Sequence, residues 1–339
     1  MRSVAMARPH YSLQKGDYPQ ISGYRPGMSS RRTALRARIT AVTLGAAVTA
    51  SVAVAPTPAA ADPTYVAWSD LLPAWTTGYD PTSADECVAG KLSCVDKVIR
   101  RMERQFDQLA SSCDHNAVFA LSYLRTTEEY RRAATEPGFF ADTPFVNHED
   151  AVFASYYFDA FDAWERGDRA QTPEAWRIAL DAAADRRVTG SGNLMLGINA
   201  HVNRDLPFVL AAIGLVKPDG SSRKPDHDKV NVFLNRVTEP LLAEEAARFD
   251  PGMDDAQTPY GLSYTALMQL LVIWRETAWR HAELLAEAPD RAARDRVAAE
   301  IEAYAADTAR TVRAQYAYPP VGGGADIRDA YCVAQQAGG

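Results

Sequence analysis

Asn193-Leu-Met-Leu-Gly-Ile-Asn-Ala-His-Val-Asn-Arg-Asp-Leu-Pro-Phe-Val-Leu-Ala-Ala-Ile-Gly-Leu215 is at once the most apolar stretch of the chain and the most oddly polar. Read at helical spacing, Leu194, Ile198, His201, Asp205, Phe208 and Ala212 share one face. An imidazole and a carboxylate therefore sit one turn apart inside an oily stripe. A buried carboxylate is costly unless it is paired or binds a metal. Asp205 thus needs a partner, whether an ion or an arginine such as Arg204 or Arg275. Pro207 lacks a backbone donor and predicts a kink just past Asp205.

Working outward, the same helical texture runs through the chain. A helix from about Ser93 carries Val95, Val98, Ile99, Met102, Phe106 and Leu109 on one face. A second follows Asp114 as cap and ends near Ala134, before Pro137-Gly138. A third follows Asn147, and a fourth begins at Thr172-Pro173-Glu174 and ends near Val188. The opening stretch is the fifth. Asp226 to Phe249, Tyr260 to Ala288 and Asp290 to Tyr316 give three more. Period-2 alternation is nearly absent. The pattern predicts an all-α fold, a single bundle or array of about eight helices spanning 93–316. Residues 62–92 read as an irregular arm, and 317–339 as a Pro/Gly-rich tail.

The chain of 339 residues divides near Ala61. A basic start, an apolar middle at 39–55 and the small residues before Asp62 read as a secretory signal, cut after Ala61. Ser30-Arg31-Arg32-Thr33-Ala34-Leu35-Arg36 resembles a twin-arginine motif with Ala34 in place of the usual aromatic, so Sec and Tat export both remain open. Met28 is an alternative start. Residues 1–61 hold eight of the Lys and Arg and one acid, so the remainder carries 42 acids against 28 bases, a net charge of −14. Such an acidic surface argues against nucleic acid and anionic lipid as partners. No run is apolar enough for a stable membrane anchor. A small-molecule ligand or substrate fits this composition. The oligomeric state is not legible.

Four cysteines lie beyond residue 61, an even number that favours two disulfides outside the cytoplasm. Cys87 and Cys94 suit a local loop, which leaves Cys113 with Cys332 to staple the tail. A Cys₄ metal site is the competing reading, but no C-x₂-C pair is present.

Of five histidines in the same part, His201 and His281 fall on apolar stripes. His148 opens the third helix, next to Glu149 and Asp150. His115 follows a cap as a half-exposed residue, and His227 reads as surface capping chemistry. His148, His201, Asp205 and His281 are the candidate ligands of a divalent metal such as zinc, contributed by facing helices. Glu149 and Arg204 are the candidate catalytic residues, Glu149 as a general base. Asp159 could orient an imidazole. The alternative is that each of these polar groups is a satisfied core residue. The His201-x₃-Asp205 pair resembles the H-x₃-D/E ligands of all-α zinc phospholipases C and helical nucleases, although the additional His and Asp ligands of those enzymes are missing. No G-x-S-x-G elbow, H-E-x-x-H or P-loop occurs.

Asn199-Ala-His-Val-Asn-Arg-Asp-Leu-Pro-Phe208, Asn147-His-Glu-Asp150 and Asp226-His-Asp-Lys-Val-Asn231 are similar to a predominantly helical bacterial family catalogued as domain of unknown function 5995. The resemblance spans roughly 90–316. It implies one all-α domain centred on these motifs and carries no reaction with it. The sequence thus points to a secreted all-α protein with a buried His/Asp pocket. It reads either as a metal-dependent hydrolase or as a non-catalytic binding or structural protein.

Overall fold

Helices form where apolar residues recur at intervals of three and four. Thus α1 (Leu92–Ser111) buries Val95, Val98, Ile99, Met102, Phe106 and Leu109 on one side. The computed structural model of the chain describes residues 78–253, 262–319 and 322–338. After α1 come α2 (Ala117–Ala134), α3 (Thr143–Glu165) and α4 (Glu174–Ala184). Then follow α5 (Gly190–Ile198), a π-helical turn (Asn199–Asp205) and α6 (Leu206–Ile213). The series closes with α7 (Lys224–Arg248), α8 (Leu262–Glu287), α9 (Arg291–Gln315) and α10 (Gly324–Gly338). Among the described residues there is no strand, only the isolated bridges Val188 with Ala317 and Val216 with Ser222. The fold is the all-α array that the periodicity predicts.

The π-helical turn is the hub, packed against α3, α4, α8 and α9 as well as its own flanking helices. Its neighbours are correspondingly apolar. In α3, Val152, Tyr156, Tyr157, Phe158 and Phe161 are buried around much of the circumference. Where a kink is expected, the helix widens over Asn199–Asp205, ahead of Pro207, which sits in the first turn of α6. Proline has no N–H to return to the carbonyl four residues back, and widening the preceding turn accommodates the gap.

Other boundaries move for local reasons. The third helix starts at Thr143, because Asp142 caps it by accepting from the Phe145 amide at 3.3 Å, with Pro144 in the first turn. His148 therefore lies in the second turn rather than at the cap. The fourth helix stops at Ala184, and Val188 pairs with Ala317 instead. The tail is not all irregular, since 324–338 is helical. The expected export segment 1–61 and residues 62–77 of the expected arm lie outside the described residues; residues 78–91 form turns.

Both cysteine pairs are disulfides: Cys87 with Cys94, and Cys113 with Cys332 across a sequence separation of 219. The second fastens α10 to the loop between α1 and α2. No helix among the described residues is long and apolar enough to cross a membrane.

Candidate functional site

Four side chains build the centre of the molecule around Asp205. Its Oδ1 accepts from Arg204 Nη1 at 2.7 Å, and its Oδ2 accepts from Trp176 Nε1 at 2.8 Å. The same Oδ2 lies 3.0 Å from His201 Nδ1. Arg204 also donates through Nε to Glu302 on α9 at 2.8 Å. Asn199 and Asn203 pin the turn further: Asn199 donates to the Ala305 carbonyl and accepts from Asn203, both at 2.9 Å. All six residues on Asp205's network from the turn and α4 are buried, and Asp205 is fully so. The carboxyl's need for a partner, read from sequence, is met by an arginine, an indole and an imidazole together.

These contacts fix the tautomer of His201. A carboxylate salt-bridged to Arg204 can only accept, so Nδ1 carries the hydrogen and Nε2 presents a lone pair. Among the described residues, His201 Nε2 has no hydrogen-bond partner. Burial pulls the His201 pKa below its ordinary value, against the pull of Asp205, so the neutral ring is favoured. The ring is held in place by Phe153, stacked at 3.5 Å, and by Tyr123, edge-on at 4.5 Å.

His201 forms part of the wall of a cavity of about 140 Å³ enclosed by α2, α3, α5, the π-helical turn, α6, α7 and α8. Most of that wall is apolar, with Leu194, Ile198, Leu234, Leu241 and Leu271 among its members. Its polar groups are Tyr123, Glu149, Asp150, His201, Arg275 and a few hydroxyls. Tyr123 Oη, Asp150 Oδ2 and Arg275 Nε are buried without a hydrogen-bond partner among the described residues. Glu149 and Asp150 keep some accessible surface along this wall, but loss of bulk solvation pushes their carboxyls up to about 7 and about 8. Burial lowers Arg275 to about 10 and raises the Tyr123 phenol far above its usual range.

The three motifs singled out in the sequence converge here. The Asn199–Phe208 string supplies the dyad, and Asn147–Asp150 supplies the two acids. Asn147 itself accepts from Tyr130 at 2.6 Å and donates to the Gly90 carbonyl at 2.9 Å, which anchors the start of α3. In the third motif, Asp226 accepts the amides of Ala141 and Asp142 at 2.7 and 3.0 Å, holding the loop that leads into α3. His227 is buried rather than at the surface, a correction to the sequence reading. Its Nδ1 and carbonyl accept from Arg275 Nη2 at 3.2 and 2.7 Å, which aims the guanidinium.

The four candidate metal ligands are not all brought together. His201 and Asp205 bond to each other. His148 Nδ1 bonds the Cys87 carbonyl at 2.8 Å and the ring lies beside Tyr79. It is Phe153, about 140° further around α3, that faces His201. His281 is half-buried beside Tyr304 on α9, away from that stack. Among the described residues no three His, Cys, Asp or Glu side chains gather to hold a metal ion. His115, expected to be half-exposed, is buried between Asp329 at 2.7 Å and Arg328 at 3.0 Å on α10. Of the candidate catalytic residues, Glu149 lines the cavity and Arg204 serves as the counter-ion of Asp205.

Tyr123, Phe153 and Trp176 carry no site signal in the sequence, and Arg275, expected as a possible partner of Asp205, bonds His227 instead. Each is an aromatic or basic residue at ordinary helical spacing, and only the fold sets it against the dyad. Asp150 did carry a signal, as an acid among the apolar positions of α3.

A family model described as a family of unknown function, DUF5995, matches residues 95–315. No curated protein and no solved structure matches the chain.

Proposed function

Because this chain belongs to the DUF5995 family, whose function is unknown, we propose a function from the site alone: the protein binds a small, largely apolar molecule in the buried cavity and presents His201 to it as a proton acceptor. The observation that carries this reading is the unpartnered Nε2 of His201 on the cavity wall, with Nδ1 fixed by Asp205. Buried polar atoms are normally satisfied, so an oriented, unpartnered lone pair on a side chain of the cavity wall is a place for a ligand's donor. Orientation of one ring nitrogen by a carboxylate is also how a general base is built. A substrate with an acidic O–H or N–H could therefore lose its proton here. The metal-dependent alternative needs further ligands beside Nε2, and Asp205 is not free to be one of them.

The two disulfides support a protein folded outside the cytoplasm, in line with the export signal read at 1–61.

Benzyl alcohol tests the binding reading, since it pairs one O–H donor with a body that fits the space. Calorimetric titration of the whole protein should give saturable binding that is lost in Val237→Phe, which fills the cavity. His201→Phe, which keeps the ring and removes the acceptor, should weaken binding at least about fivefold. Failure of the unmodified protein to bind would sink the reading.

A further inference from the structure

The cavity wall holds one acid that has no cation beside it. Asp150 Oδ2 is buried there without a partner, and the charge felt at its carboxyl is that of its neighbour Glu149. Glu149 is different, because Arg275 and Arg223 both act on it. Arg275, the basic residue of this wall, already donates to the carbonyl and ring of His227. Two more unpartnered atoms belong to side chains of the same wall, Tyr123 Oη and His201 Nε2, on residues only 7% and 3% exposed. Asp150 is near enough to Tyr123 to raise its phenol.

The unpartnered atoms include a carboxyl oxygen, an imidazole lone pair and a phenol oxygen, each able to accept from a ligand, the phenol also able to donate. Arg275 Nε is the exception, and it lies under the influence of Glu149. A carboxylate ligand sets like charges together as soon as either acid of this wall ionises, whereas a cation favours that ionisation. An ammonium group brings up to three donors, no acceptor and the missing positive charge. Aromatic faces attract such a cation further, and Phe119, Phe153, Tyr130 and Phe233 all lie on this wall. The space is close to the roughly 150 Å³ apolar cavity known to take benzene, which sets the size of the body.

We infer that the ligand of this cavity is a small organic ammonium ion, its nitrogen set against Asp150, Tyr123 and His201 and its single-ring or short alkyl body among the aromatic and leucine side chains. This rests on the binding reading above and narrows it to a charge class. Without a ligand the acid stays protonated near neutral pH, with its carboxyl pushed up to about 8.

Titration of the whole protein with benzylammonium, benzyl alcohol and benzoate separates the two claims. Benzylammonium should bind at least about tenfold more tightly than benzyl alcohol, and benzoate should bind least. Asp150→Asn, which copies the shape of the protonated acid, should abolish the preference for the amine over benzyl alcohol. If benzyl alcohol binds while benzylammonium binds no better, or benzoate binds best, the ammonium inference fails and the binding reading stands. If none of the three binds, both fail. The order among the three probes decides the matter even if the variant does not fold.

Discussion

The imidazole of His201 lies flat on the ring of Phe153, with centroids 3.5 Å apart and planes 7° from parallel. Phe153 comes from α3 and His201 from the π-helical turn, so the stack joins the helix that carries Glu149 and Asp150 to the turn that carries the His201–Asp205 dyad. One face of the imidazole is covered, and Asp205 holds its Nδ1. The ring has little freedom left, and its Nε2 direction is set by the fold.

Removing the carboxylate should therefore cost more than removing the imidazole. Asp205→Ala takes from the buried Arg204 guanidinium the carboxylate it bonds at 2.7 Å and strips an acceptor from Trp176. A loss of about 3–5 kcal/mol in denaturant unfolding is expected. His201→Ala leaves Asp205 with two of its three donors, and about 1–3 kcal/mol is expected. Asp205→Asn should hold the shape while its amide donates to Nδ1. The ring proton then moves to Nε2, a change that nitrogen NMR of the imidazole reads directly. An Nε2 shift that stays that of an unprotonated nitrogen would count against the assigned hydrogen-bond pattern.

Gly197 supports the same centre from behind. A Cβ there would lie 2.2 Å from Phe119, whose ring packs edge-on against Trp176 at 5.3 Å and His201 at 6.1 Å. Phe119 cannot retreat without disturbing both. Gly197→Ala should destabilise by about 1–3 kcal/mol despite its better helix propensity. Thermal melting checks this; an unchanged or raised midpoint would show that the aromatic cluster has room to yield.

Helix after helix was legible from spacing, because each element buries a stripe set by its own residues. The same logic located Asp205 and His201 on one inward face and anticipated that the carboxyl would be paired. What spacing could not give was partnership between elements. His148 and His281 lie on suitable helices, yet a side chain's rotational position on its helix decides what it meets, and Phe153 rather than His148 meets His201. His227 looked like surface capping because its neighbours Asp226 and Asp228 are charged. Arg275 on α8 buries it. The π-helical widening was visible only as a proline out of place.

The two disulfides should differ in what they contribute. Closing a loop removes unfolded-state entropy in proportion to the logarithm of loop length. Cys113–Cys332 spans 219 residues of sequence and Cys87–Cys94 spans seven. Replacing the first pair by serine should cost about 5 kcal/mol and the second about 2 kcal/mol. The first substitution also releases α10, which carries Arg328 into contact with His115 and Asn193. Denaturant unfolding of the two double variants gives the comparison; an equal loss would mean that local packing, not loop closure, sets the effect.

The acids of the cavity make stability depend on pH in an unusual direction. Glu149 and Asp150 have carboxyls raised to about 7 and about 8, above their ordinary values of 4.5 and 3.8. A group raised on folding contributes most below its unfolded value, and that contribution is lost as pH climbs through the folded one. Buried Glu245 and Glu302 are raised too and act in the same sense. His115, His201, His227 and His281 oppose them at lower pH, since their lowered values make stability rise with pH up to about 6.5. About a unit above that the histidines are neutral in both states, and the acids dominate the titration. Unfolding free energy should therefore fall between about pH 7.25 and 8.5, by up to about 1.4 kcal/mol per pH unit for each acid ionising. Asp150→Asn removes one of them and should flatten that decline. A denaturant series at about pH 7.25, 8 and 8.5 measures it, and a flat or rising profile in the unmodified protein would mean that the cavity solvates its acids.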